Sequence, residues 1–314
     1  MMRCWFFILL LSLCLQARPQ EPYVIETSDI TRFWQAFDQL ANAGSKEDSI
    51  QIIRDHYINQ ASKHFREFLK VRKFTAEEYV KKIGLYPLFW KSVRPLTEGI
   101  DKRKGEIDKV FQQLAAVIPN FRQPDVCFAI GTLRTGGTTS KNLLLIGADI
   151  AASDSTVEKS ELSPWLKSVI GNTGDIVAMV AHETIHTHQI NYRKTTLLTG
   201  SIKEGVADFI TDRFLGLNIN RPLHDYGNAR ECELWTEFET SMKTAPGDYS
   251  LWLYGGKSSG ARPADLGYYI GYKIAEAYYD QATNKEAAIK TLLNQKKYPE
   301  IFRRSGYSQK ACSR

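Results

Sequence analysis

Residues 181–189 read Ala-His-Glu-Thr-Ile-His-Thr-His-Gln. His182 and His186 stand four apart, and in an α-helix such residues lie one turn above each other on one face, so both rings can aim a nitrogen at one point. That geometry suits a zinc ion (Zn2+), which takes imidazole nitrogen at about 2.0–2.1 Å. Glu183 is rotated by about 100° in a helix of about 3.6 residues per turn, which sets it beside the ion rather than on it. There it can accept a proton from water and return it later. The flanks Ile176-Val177-Ala178-Met179-Val180-Ala181 and Thr184-Ile185 carry no charge. A buried helix over about 175–190, with ionisable groups only at the metal-binding positions, is the expectation.

Two histidines need a third ligand, and Ser201-Ile202-Lys203-Glu204-Gly205-Val206-Ala207-Asp208 offers one. Two antiparallel helices joined by a loop would bring Glu204 against the histidine pair. Asp208, one turn further on the same face, could accept the outer N–H of a ligand histidine and fix its tautomer. Glu204 also stands three after Ser201, the spacing of a capping box, so a helix cap is the rival reading. His188 points to a different face from His186 and is expected in solvent.

His182-Glu183-Thr184-Ile185-His186 with Glu204 and Asp208 resembles the gluzincin metallopeptidases. The stretches GTLRTGGTTSKNLLLIGAD (131–149), EGVAD (204–208) and GYYIGYKI (267–274) resemble a narrower group, bacterial predicted zinc-dependent proteases related to the gliding-motility lipoprotein B family. The likeness spans most of the chain after its first segment. It implies zinc on His182, His186 and Glu204, with Glu183 as general base and Asp208 behind a ligand histidine. It also implies a cleft bordered by the strand near 143–146, where Leu144 would hold an extended peptide by backbone pairing. A peptidase needs a donor for the oxyanion, and gluzincins use a Tyr or His downstream of the third ligand. Tyr268 is the first choice, with Tyr269, Tyr272 and His224 as alternatives, although the tyrosine-rich helix also reads as core packing. Arg262 could bind a substrate carboxylate, though an exposed loop arginine is the plainer reading.

The rest of the chain predicts an α+β fold, mostly α. From Ser28 to Ile118 the pattern is helical: Phe33, Trp34, Phe37 and Leu40 repeat at helical spacing after a Ser28 cap. Thr75-Ala76-Glu77-Glu78 is a capping box, and Pro87 and Pro95 punctuate the connection to a long helix over about 97–118. Nothing in these helices points to chemistry. Asp125-Val126-Cys127-Phe128-Ala129-Ile130 and Asn142-Leu143-Leu144-Leu145-Ile146 read as two strands joined by a loop. That loop holds Gly136-Gly137-Thr138 but lacks the following helix and closing Lys of a phosphate cradle. Further helices are expected at about 175–190, 201–216, 228–242, 265–281 and 284–296. The organisation is thus a helical part over 18–118 and a zinc peptidase-like part over 119–314, together forming one compact unit.

The N-terminus MMRCWFFILLLSLCLQARPQ places Arg3 before an apolar run. It reads as a secretory signal over 1–17 cut after Ala17, too short to span a membrane with ordinary flanks. A rival lipoprotein signal would lipidate Cys14, with Leu13 where a small residue is usual. The protein is therefore expected in the periplasm or cell envelope, lipid-anchored or released. Of the remaining cysteines, Cys127 reads as a buried strand residue, and a bridge can join Cys232 to Cys312. The net charge of +6 is scattered among acids, which gives nucleic-acid binding no support. The expected function is zinc-dependent hydrolysis of peptide or protein substrates. The alternative is a non-catalytic envelope lipoprotein or surface-machinery component that keeps a zinc site.

Overall fold

Amphipathic spacing up to residue 117 of the computed structural model yields six helices: α1 (Ser28–Gln39), α2 (Lys46–Ile53), α3 (Lys63–Arg72), α4 (Ala76–Leu85), α5 (Pro87–Glu98) and α6 (Lys104–Val117). The structure describes residues 23–171, 175–255 and 262–313. The expected signal peptide over 1–17, its cut after Ala17 and the lipid anchor at Cys14 lie outside these residues.

Local signals place several helix ends differently from the sequence reading. Ser28 is the first helical residue rather than the cap; Thr27 holds the cap position without a side-chain bond. The expected helix over 97–118 is broken at Gly99, a poor helix residue, and resumes as α6 after a 3-10 turn over Ile100–Arg103. Pro87 opens α5 and Pro95 lies inside it; at a first helical position the missing N–H has no partner to lose. Thr75 caps α4 by accepting the Glu78 N–H.

Four strands form a mixed sheet in the order β1-β2-β4-β3: β1 (Ile25–Glu26), β2 (Asp125–Ala129), β3 (Gly137–Ser140) and β4 (Leu143–Gly147). Neighbours β1 and β2 are parallel, as are β2 and β4, while β3 runs antiparallel to β4. The loop expected between two strands therefore contains an edge strand of its own. Its Gly-Thr-Thr-Ser sequence lacks apolar alternation because it is only half-buried. Residues Val126–Ala129 and Leu144–Gly147 are buried on both faces, as a covered parallel core requires. Helices from both halves of the chain, α1, α3, α7 (Ala148–Ala151) and α9 (Ile176–His188), pack against the sheet. The hydroxyls of Tyr57 and Tyr79 both donate to the Ile130 carbonyl at 2.7 Å, tying the end of β2 to the aromatic core of the N-terminal helices.

The remaining helices are α8 (Pro164–Val169), α10 (Leu197–Leu215), α11 (Arg221–Asn228), α12 (Glu231–Thr244), α13 (Gly267–Gln281), α14 (Lys285–Leu292), α15 (Tyr298–Ser305) and α16 (Tyr307–Lys310). Thr196 caps α10 through a capping box with Thr199. Ser201 and Glu204 consequently lie well inside the helix, which removes the cap reading of Glu204. Helices α10 and α13 touch backbone to backbone. A β-carbon on Gly205 would lie 2.0 Å from the Tyr272 nitrogen, and one on Gly271 would lie 1.8 Å from the Ser201 carbonyl oxygen. Cys232 and Cys312 form a disulfide between α12 and the end of the described chain, and Cys127 is free and buried. Among the described residues no helix is long and apolar enough to cross a membrane.

Candidate metal centre

Asp175 starts α9 by accepting the Val177 N–H at 2.8 Å, and residues 176–185 are buried throughout. A helix apolar on every side must sit inside the protein, so the two histidines are carried into the interior. Their Nε2 atoms lie 3.1 Å apart. From α10, Glu204 brings Oε2 to 3.0 Å from His186 Nε2 and 3.6 Å from His182 Nε2. Three ligand atoms of a tetrahedral zinc with bonds of about 2.0–2.1 Å stand about 3.3 Å apart, so the spacing of this cluster fits the ion.

Neighbouring groups fix which atoms face the cluster. Asp208 Oδ1 lies 2.9 Å from His182 Nδ1, so Nδ1 donates to the carboxylate and Nε2 is the ring nitrogen turned to the cluster. Gln189 donates its amide to the Lys203 carbonyl at 2.8 Å, which orients Oε1 towards His186 Nδ1 at 2.9 Å. His186 must then donate from Nδ1, which turns its Nε2 to the cluster in the same way. Glu204 Oε1 accepts from Lys203 Nζ at 3.0 Å and from the Tyr254 hydroxyl at 3.2 Å, leaving Oε2 as the single facing atom. Asp208 Oδ2 is engaged by Asn220 at 2.9 Å and His224 at 3.2 Å.

These contacts set the charges. Burial pulls the His182 imidazole down, but Asp208 and Glu204 outweigh it and push its pKa up to about 10. Burial pushes the Glu204 carboxyl up, yet His186 and Lys203 hold it well below the usual carboxylate range. Asp208 behaves likewise: burial raises it, and the bonds to His182 and His224 prevail and lower it. Two buried carboxylates therefore stay ionised next to the imidazole pair, a donor set suited to a divalent cation.

A cleft of about 580 Å³ opens over this cluster. One side is the edge strand β3, and Glu183 is pressed against it: a β-carbon on Gly137 would stand 2.5 Å from Glu183 Oε1. Tyr254 and Tyr268 line the cleft, as do Trp165, Lys203 and Arg72. The Tyr268 ring runs nearly parallel to that of His182 at 6.3 Å. Burial and then the Glu204 charge hold the Tyr268 hydroxyl well above its usual range.

The structure brings His182, His186 and Glu204 together, with Asp208 behind His182 and with Glu183 and Tyr268 at the cleft. Other expectations are corrected. Leu144 is fully buried and paired on both sides, with Val126 and Thr139, so its backbone has nothing left for a peptide; the open edge belongs to β3. Arg262 is an ion-pair partner of Glu237 at 2.6 Å and lies over Trp252, away from the cleft lining. Among the alternatives to Tyr268, His224 stands behind Asp208, Tyr269 is fully buried, and Tyr272 donates to Asp212 at 2.9 Å. His188 is half-buried rather than free in solvent: it stacks on Phe121 at 4.7 Å and accepts the Arg122 N–H at 3.0 Å.

Sequence reasoning missed Tyr254 and Arg72. Tyr254 has φ 62° and precedes Gly255 at φ 78°, a left-handed pair that is uncommon for a tyrosine and marks a held conformation. The Tyr-Gly dipeptide is the only trace of it in the sequence. Arg72 comes from α3, where no motif signals it.

No curated protein and no solved structure matches the chain. Residues 162–298, which include His182, Glu183, His186, Glu204 and Asp208, match the model of a family described as "Predicted Zn-dependent protease (DUF2268)", and over that stretch the chain is similar to predicted zinc-dependent proteases.

Proposed function

We propose that the chain is an exported zinc metallopeptidase of gluzincin type. The observation that carries this reading is the convergence of His182 Nε2, His186 Nε2 and Glu204 Oε2 beside Glu183 in an open cleft. When bound there, zinc supplies Lewis acidity, polarising a peptide carbonyl and easing the deprotonation of water. Glu183, seated against Gly137, accepts that proton and delivers it to the leaving amine. The open edge of β3 pairs with an extended peptide, and Tyr268 donates to the developing oxyanion. Three protein ligands in an open cleft suit catalysis, whereas structural zinc is usually closed by four. That speaks against a non-catalytic envelope component. Export is supported by the charge and apolar pattern of residues 1–17 and by the Cys232–Cys312 disulfide, a bond that persists in oxidising compartments.

The test is metal analysis together with a peptide-library digest, on the wild type and on Glu183→Gln. One zinc per chain in both, with cleavage by the wild type alone, is the expected result. A fully loaded wild type that cuts nothing would remove the peptidase reading.

A further inference from the structure

Arg72 is the last residue of α3 and lies outside the stretch that matches the family model. Its guanidinium lines the cleft. Nη2 donates to Thr135 Oγ1 and, at 3.4 Å, to the Gly137 carbonyl. Nε is buried without an acceptor. Arg134 and Lys203, the other cationic chains of the lining, are each paired with a carboxylate, Glu78 at 3.1 Å and Glu204 at 3.0 Å. No described carboxylate forms an ion pair with Arg72. Burial lowers its pKa, and the charge of Glu183 acts in the opposite direction.

The position of this guanidinium on the strand is specific. Gly136 gives its carbonyl to the Gly147 N–H at 3.0 Å, so Gly137, one residue on, turns its carbonyl away from β4 to the open edge. Arg72 meets the edge at that carbonyl, at the residue that also abuts Glu183. An extended peptide lying along β3 would thus encounter a half-buried cation beside the point of reaction. Anchoring Gly137 alone would need a single N–H. A guanidinium offers a planar fork that matches a carboxylate with two parallel bonds, and a partly desolvated cation with no carboxylate in direct contact gains from receiving one.

We infer that Arg72 binds a carboxylate of the substrate, either an acidic side chain or a free C-terminus, next to the bond that Glu183 serves. The inference rests on the cleft being a peptide site. The test uses zinc-loaded Glu183→Gln protein, which binds without cutting, and fluorescein-labelled octapeptides read by anisotropy. One set is neutral and C-terminally amidated, a second carries a single Glu walked through the sequence, and a third ends in a free carboxylate at stepped lengths. A Glu at one register, or a free end at one length, should raise affinity at least about tenfold over the neutral set, as expected for a charge-assisted pair. Which set responds separates the side chain from the terminus. Adding Arg72→Gln should bring that ratio close to one. If this variant does not fold, Arg72→Lys is read in the same way, and the ratio should fall several-fold because an ammonium cannot offer the parallel pair. Absence of any preference, or a preference that survives these substitutions, overturns the inference. Hydrolysis is not read here. A chain with the Arg72-dependent preference that cuts nothing therefore refutes the peptidase reading alone, and one that cuts without the preference refutes the role of Arg72 alone.

Discussion

The carboxylate of Glu183 occupies the place where Gly137 would carry a side chain: a β-carbon there would fall 2.5 Å from Oε1 and 2.7 Å from Cγ. The edge strand thereby sets the position of the acid while the helix sets its height. Gly137→Ala should displace Glu183 without touching any ligand. Turnover is expected to fall about ten- to a hundredfold, the scale of a misplacement of about 1 Å at a reacting group, with zinc content unchanged by metal analysis. Loss of zinc in this variant would show that the strand also supports the ligands.

The two tyrosines of the cleft should separate by readout. Tyr268→Phe is expected to lower turnover about a hundredfold, the cost of one oxyanion donor, with little effect on zinc. Tyr254→Phe removes a bond to Glu204 Oε1, so its effect should appear in zinc affinity, by up to about tenfold. Chelator competition and steady-state kinetics on both variants check this. The opposite assignment would exchange their roles.

Removal of zinc should follow the order in which groups approach the ion. Glu204→Ala takes away a ligand and should lower affinity by orders of magnitude. Asp208→Asn leaves His182 Nδ1 without its anion and should cost about ten- to a hundredfold. Ser201, buried inside α10 and away from its capped end, should leave affinity unchanged when replaced by Ala. Equal affinities in Glu204→Ala and wild type would exclude Glu204 as a ligand.

Asp149 supplies a pH dependence remote from the metal. It is fully buried and accepts the Gly131 and Leu133 N–H groups at 2.8 Å each, steadying the turn that leads to β3. Burial pushes its carboxyl up to about 6, against an ordinary 3.8, despite those bonds. A pKa raised in the folded state contributes stability that is complete below the unfolded value and lost as pH rises through the folded one. Relative to Asp149→Asn, the wild type should therefore lose about 2 kcal/mol between pH 4 and pH 7, most of the full linkage, since each pH unit separating the folded and unfolded pKa is worth about 1.4 kcal/mol. Urea denaturation of both chains at several pH values measures the difference. A gap that is flat across this window would mean that Asp149 is not perturbed.

The pairing of His182 with His186, and of Glu204 with Asp208, is legible in the sequence because helical period fixes which residues of one helix share a face; that the two pairs meet follows from the expected helix pair and the resemblance. The small sheet is legible where its strands are buried and continuously apolar, as at Val126–Ala129. The edge strand is not: Thr138 and Thr139 are half-buried, so no alternation distinguishes them from a loop, and the adjoining Leu144 is the more conspicuous candidate. Arg72 and Tyr254 escape for another reason. Arg72 reaches the cleft from more than a hundred residues upstream of the histidines, and Tyr254 by a left-handed turn. Neither approach leaves a periodic signal. Arg262 is attractive only until its partner Glu237 comes into view.

The contact between Gly205 and Gly271 has a consequence for how this chain can diverge. What stands in the way of a side chain at either position is main chain of the opposite helix, at 2.0 and 1.8 Å, which no substitution elsewhere can shorten. Enlarging one partner cannot be answered by trimming the other, since both are already at the minimum. Descendants can vary the surfaces of α10 and α13 freely, but they must inherit both glycines or part the helices that hold Glu204 and Tyr268 across one cleft.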